Sequence, residues 1–179
     1  MMATKILVEP VVEPVNLAEA KAWLRVDNTI EDDLINALIR TTRTHIEAIA
    51  GLAMITQTIQ QTGIGNSQTG IIEFAATPVQ SVQLVAKSNV DGTETVLGNT
   101  DYQLDLDNNR IGFGPLGAGA AFRIEYIAGF GDLATDVPEP LKTAMLSQMA
   151  RLFDHRDEPG PGLSHFVQSL LAPFVRVRL

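Results

Sequence analysis

Apolar residues recur every three or four positions in the first third of the chain, alternate with polar ones in the middle, and return to the longer spacing near the end. Those two periods are the marks of helix and strand, so the chain reads helix, sheet, helix. Asn16 opens the first helix, with Glu19 three residues on completing a capping box. Leu17, Ala20, Trp23 and Leu24 share one face, expected to be a core stripe, and this helix should end near Arg25 or Val26. Asn28 or Thr29 is expected to cap a second helix, with Glu31, Asp32 and Asp33 in the first turn, where the helix dipole favours negative charge. Leu34, Ile35, Leu38, Ile39, Thr42, Ile46 and Ile49 then follow at helical spacing. Gly51 suits the left-handed residue that closes a helix.

The middle of the chain alternates. Ile55–Gln61, Ile71–Phe74, Ser81–Lys87, Thr93–Leu97, Tyr102–Leu106, Arg110–Phe113 and Phe122–Ala128 are predicted strands, with Thr62–Gly70 as loop. Asn89–Gly92 and Asp107–Asn109 carry hairpin-turn chemistry. Strands this close together suggest a small antiparallel sheet or sandwich, not parallel strands joined by helices. Asp136 can then cap a final helix, with Pro138 and Pro140 suited to its first turn. Leu141, Ala144, Met145, Gln148, Met149 and Leu152 form its inward stripe. After the Pro159–Gly162 linker come a short helix over 163–171 and a strand-patterned end, Phe174–Leu179.

The expected fold is α+β: a helical bundle made of the N-terminal helix pair and a C-terminal helix, an inserted antiparallel β domain, and an extended C-terminal tail. Its parts are residues 1–54 (helical core), 55–135 (β insert), 136–158 (C-terminal core helix) and 159–179 (linker, short helix and docking tail). Leu38, Ile39, Ile46, Met145, Met149 and Leu152 are expected to join the long helix to the C-terminal one.

Composition removes several classes. The 179 residues include no cysteine, which excludes disulfide scaffolds, thiolate metal sites and cysteine catalysis. Hydrophobic residues make up 45% and charged residues 19%, which is globular rather than disordered composition. Twenty-one acids against 13 bases give a net charge of −8, which repels a phosphate backbone. The acidity lies in the first two thirds, since residues 136–179 carry five acids and five bases. Glu9 and Pro10 interrupt any signal-peptide core, and no apolar run approaches the ~20 residues of a membrane span, so the expectation is a soluble protein used without export.

No catalytic constellation emerges. Gly112–Gly117 matches G-x-G-x-x-G, but the residues after it lead into a strand rather than a phosphate-binding helix. His45, His155 and His165 lie in three separate elements without metal-ligand spacing, and His155–Glu158 reads as a polar helix end. Glu31–Asp33 is explained by capping, none of the serines lies in a nucleophile elbow, and Asp101, Asp105 and Asp107 read as a solvated face. Neither catalytic residue, cofactor nor metal is expected.

A resemblance covers nearly the whole chain. The run Pro14–Asp27 (PVNLAEAKAWLRVD), then Glu31–Ile35, Gly51 and Ile55–Thr58, resembles the opening of tailed-phage head–tail connector (adaptor, or head-completion) proteins, which also occur in gene transfer agents and prophages. Pro78–Val82, Tyr126–Gly131 followed by Val137–Lys142, and Leu170–Arg176 resemble that family's later blocks, in the same order. The resemblance implies a structural role without enzymatic activity. The expected assembly is a homo-oligomeric ring, usually of twelve copies, under the portal protein and joining the DNA-filled head to the tail. Genomic DNA would pass through unbound, with a tail-side connector or stopper protein as a further partner and no membrane. The place would be the virion neck, after assembly in the bacterial cytoplasm.

The tail, Phe174, Val175, Arg176, Val177, Arg178 and Leu179, is the expected partner-binding segment. Its valines and leucine face one way and its arginines the other, and a strand this short must dock on something. Its host could be the portal, a neighbouring subunit or its own sheet. The alternative reading is a β-rich carbohydrate- or peptide-binding module without catalysis, which would need an exposed aromatic cluster. A small hydrolase would need a nucleophile–base pair, and none can be named.

Overall fold

The long helix organises one half of the molecule. In the computed structural model, which describes residues 3–65, 69–89, 91–114, 119–155 and 162–175, the first two helices are α1 (Leu17–Leu24) and α2 (Asp32–Ala50). Asn16 and Glu19 form the reciprocal capping box of α1, and Gly51 closes α2 with φ 67°. Between them the expected cap moves. Asn28 accepts from the Ile30 N–H and shapes a turn before α2, whose first residue is preceded by Glu31 without a side-chain cap. Lys21 holds this turn, donating to the Asn28 carbonyl and to Asp32 at 2.6 Å.

Ile35, Ile39, Ile46 and Ala50 of α2 bury against α3 (Glu139–Asp154) through Leu141, Ala144, Met145 and Met149. Helix α4 (His165–Leu171), capped by Ser164, adds Val167 and Leu171 to the same core. Four apolar residues depart from their expected stripes. Trp23 is 47% exposed and Ile49 is also exposed, while Leu38 and Leu152 are only half-buried. Ala50, one residue beyond Ile49, completes the α2 stripe instead, because it falls 400° beyond Ile46 where Ile49 falls 300° beyond it, counting about 100° per residue. Before α3, Asp136 does not cap the helix itself. Its carboxylate accepts from the Leu133 N–H and closes a preceding short turn. A Cβ on Gly131 would collide with that carboxylate.

The other half is antiparallel β. One sheet has five strands in the order β1 (Ala3–Val8), β2 (Gln57–Ile64), β8 (Ala121–Ala128), β4 (Val79–Ser88), β5 (Glu94–Val96). A second sheet has the order β3 (Ile71–Glu73), β7 (Arg110–Gly112), β6 (Gln103–Asp105). Strand β2 runs into the segment expected to be loop, because Thr62–Ile64 pair with Ala121–Arg123 of β8. Inward residues of β2 and β8 (Ile59, Gln61, Ile124, Tyr126) are buried. Phe113 stacks on Phe122 with ring centroids 3.7 Å apart, and Phe74 tilts against Tyr126 at 4.8 Å. The Tyr126 hydroxyl donates to Gln61 and accepts from the Ala76 N–H, and burial pushes its pKa up to about 12.

Two compact units result. One contains the residues up to Glu9 together with Thr56–Gly129, and the other Pro10–Ile55 with the chain from Phe130 onward. Residues 3–8, assigned to the helical part by sequence, are strand β1, and the β unit gives up residues 130–135 at its other end. The reason is local. Ile6, Leu7 and Val8 are consecutive and all exposed, so an edge strand with no covered face left no alternation to read.

Candidate docking surfaces

Around the start of the tail, the helical unit is tightly held. Phe174 and Val175 donate their N–H groups to the Leu171 carbonyl, which ends α4 in a turn. The Phe174 ring packs edge-on against Phe130 at 6.1 Å and joins the rim of the core. Phe174, expected to bind a partner, is therefore used inside its own unit. Val175 is 40% exposed, and Arg176, Val177, Arg178 and Leu179 lie outside the described residues.

A buried ion network lies within the same unit. Arg43 Nε donates to Glu13 at 2.8 Å and Nη1 to Glu47 at 3.0 Å, while the second Glu47 oxygen accepts from the Met54 N–H at 2.7 Å. Burial alone would lower the Arg43 pKa. The Glu13 hydrogen bond and the Glu47 charge outweigh it and raise the pKa. Sequence reading passed over these three residues, although Arg43 and Glu47 stand four apart on the face the apolar stripe turns inward.

The β unit offers sheet edges: β1 and β5 bound one sheet, β3 and β6 the other. Strand β1 exposes every residue and bulges between Ile6 and Val8. Glu94 of β5 is taken by the Arg123 guanidinium, and its pKa is held below the usual carboxylate range by that hydrogen bond. Along β6 the apolar row Ile72–Ile111–Leu104 ends at Leu104, and the charged row Glu73–Arg110–Asp105 ends at Asp105. Asp105 accepts from Asn108 and from Arg110, and these contacts, Asn108 foremost, lower its pKa. An open groove of about 510 Å³ runs beside this edge, lined by Ile71, Tyr102, Asp105, Arg110 and Phe113. Of the aspartates read as a solvated face, Asp105 lies on the edge strand β6 and Asp101 lines the same groove.

The three histidines lie on or beside different elements. His45 is half-buried on α2, while His155 and His165 are exposed at the end of α3 and the start of α4. Among the described residues no group of three or more histidines and carboxylates could hold a metal. No helix among them is long and apolar enough to cross a membrane. Gly112 ends β7 and the chain resumes in β8, so the glycine motif joins two strands; its residues 115–117 lie outside the described ones.

Known proteins resolve what edges and turns cannot. The structure resembles a chain from the "neck of empty GTA particle computed with C6 symmetry" with TM-score 0.76 and 22% identity, over 99% of this chain and 97% of the other. It resembles one from the "virion of native gene transfer agent (GTA) particle" with TM-score 0.74 and 21% identity, over 98% and 96%. It also resembles one from the "neck of native GTA particle computed with C12 symmetry", with TM-score 0.67 and 21% identity, over 97% of each. At these identities the likeness establishes the fold. No curated protein matches the sequence. Residues 14–105, more than half of the chain, match the family described as phage gp6-like head-tail connector protein, and the chain belongs to that family.

Proposed function

We propose that this chain is the subunit of a ring seated under the portal, joining the DNA-filled head to the tail. The observation that carries this reading is the connector-family match, supported by a fold shared along nearly its whole length with chains of gene transfer agent necks, one of them with C12 symmetry. Twelve copies would close the ring, with the portal on one side and a tail-side connector or stopper protein on the other. The subunit works without catalysis. Its net charge of −8 suits a channel through which DNA slides without sticking. It acts in the virion neck and is assembled in the bacterial cytoplasm.

The docking element is the tail beyond Phe174. Phe174 anchors it to the helical core, and the alternating Val175–Leu179 reaches a partner. Negative-stain imaging of the chain purified with its portal protein tests the ring. Rings of uniform diameter on the portal are expected, and monomers under every condition would contradict the reading.

A further inference from the structure

Ahead of α1, residues 10–15 lead into the helical unit as a strap without regular structure. Two of the six, Pro10 and Pro14, have no N–H to give, and among the described residues the strap makes no backbone-to-backbone hydrogen bond. Side chains hold it instead. Pro14 and Val15 are buried, and Glu13 accepts from Arg43 Nε at 2.8 Å and from Nη2 at 3.3 Å.

Two features of this attachment favour release. The first is the clasp. Arg43 has a second carboxylate, Glu47, one turn along the same helix at 3.0 Å, so the guanidinium keeps a partner when Glu13 leaves. The Glu13 side chain is 27% exposed where that of Glu47 is 8%, so the departing carboxylate already touches water. Opening strands neither charge. The second feature is the floor. Val15, Ile39, Met145, Leu146 and Met149 enclose a gap beside Thr42 that is too narrow to admit a water. The Thr42 hydroxyl is fully buried and, among the described residues, has no hydrogen-bond partner. Closing the strap costs that hydroxyl its hydration, which returns when Val15 lifts and water enters.

We propose that residues 10–15 are a strap that opens as a local event while α2 and α3 stay packed, with Glu13 and Arg43 as its clasp. Opening uncovers Val15 and the Thr42 hydroxyl together. A segment fully integrated in the core would be uncovered only when the whole unit unfolds. The device belongs to the single chain and does not depend on the ring proposed above.

The chain has no cysteine, so one introduced thiol reports on one place. Val15 on the strap and Ala144 on α3 are both buried. Val15→Cys and Ala144→Cys are made as separate variants of the full chain and treated, folded, with a water-soluble thiol reagent. Val15→Cys should react faster by roughly tenfold or more, and with little dependence on added urea, because a local opening exposes little surface. Adding Glu13→Ala should speed the Val15→Cys reaction by about tenfold, as loss of a hydrogen bond to a charged group would. Thr42→Val should slow it, since the closed strap then covers no hydroxyl. Ile46→Ala, which weakens the core under open and closed straps alike, should speed only Ala144→Cys. Equal rates and equal urea dependence at the two sites would overturn the proposal, because the strap would then open only with the whole unit. A Val15→Cys rate that rises with Ile46→Ala, or is unmoved by Glu13→Ala or Thr42→Val, would overturn it too.

Discussion

Arg43 shows why the identity of a residue matters less than what surrounds it. It sits on the buried face of α2 between two carboxylates, one of which also accepts a backbone N–H. Removing Glu47 takes one carboxylate from the buried guanidinium and the acceptor from the Met54 N–H. Glu47→Ala should therefore cost about 3–5 kcal/mol by chemical denaturation, more than an ordinary surface change. In the apolar stripe, Ile46 is fully buried and Leu38 is half-exposed to the rim. Ile46→Ala should cost ~2–5 kcal/mol, and Leu38→Ala clearly less; equal losses would show that the stripe is misassigned. Asp105 supplies a titration. Because Asn108 and then Arg110 hold its folded pKa low, its contribution to stability is present above the unfolded value and is lost as pH falls through the folded one. NMR titration should find the Asp105 carboxyl below the usual carboxylate range and returning toward it in Asn108→Ala.

Elements were legible where one face is dry. The alternation of β2 and β8 and the long stripe of α2 reflect burial on one side, so the sequence already carried their type. Strand β1 was not legible, since its partner covers an edge rather than a face. The caps split in the same way. Asn16 could be read because both members of its box lie in one short window, whereas Asn28 and Asp136 were drawn into neighbouring turns by backbone groups the sequence does not reveal. The tail divides at Phe174. Phe174→Ala should lower the stability of the helical unit by roughly 1–3 kcal/mol, short of a fully buried Phe→Ala because the ring is only partly covered. Ending the chain after Val175 should leave its melting temperature unchanged while weakening assembly. A truncation that lowers the melting temperature by several degrees would place the lost residues inside the fold.

At the scale of the molecule, the candidate site was legible as a pattern and not as a place. The alternation of Val175–Leu179 suggests a segment that docks, but it names no host, and all of it beyond Val175 lies outside the described residues. Only the strand order shows that β6 is an edge. Contacts between Arg176 or Arg178 and acidic groups of a partner would be partly solvent-screened, so assembly should weaken as salt rises from about 0.05 to about 0.5 M. Salt-independent assembly would mean that apolar contacts alone hold the copies together.

The central claim is that this chain joins head to tail, and electron microscopy of particles from cells lacking it tests that claim most directly. DNA-filled heads with portals but no tails, and free tails beside them, are the predicted result, reversed when the wild-type chain is supplied in trans. Normally tailed particles in its absence would contradict the account.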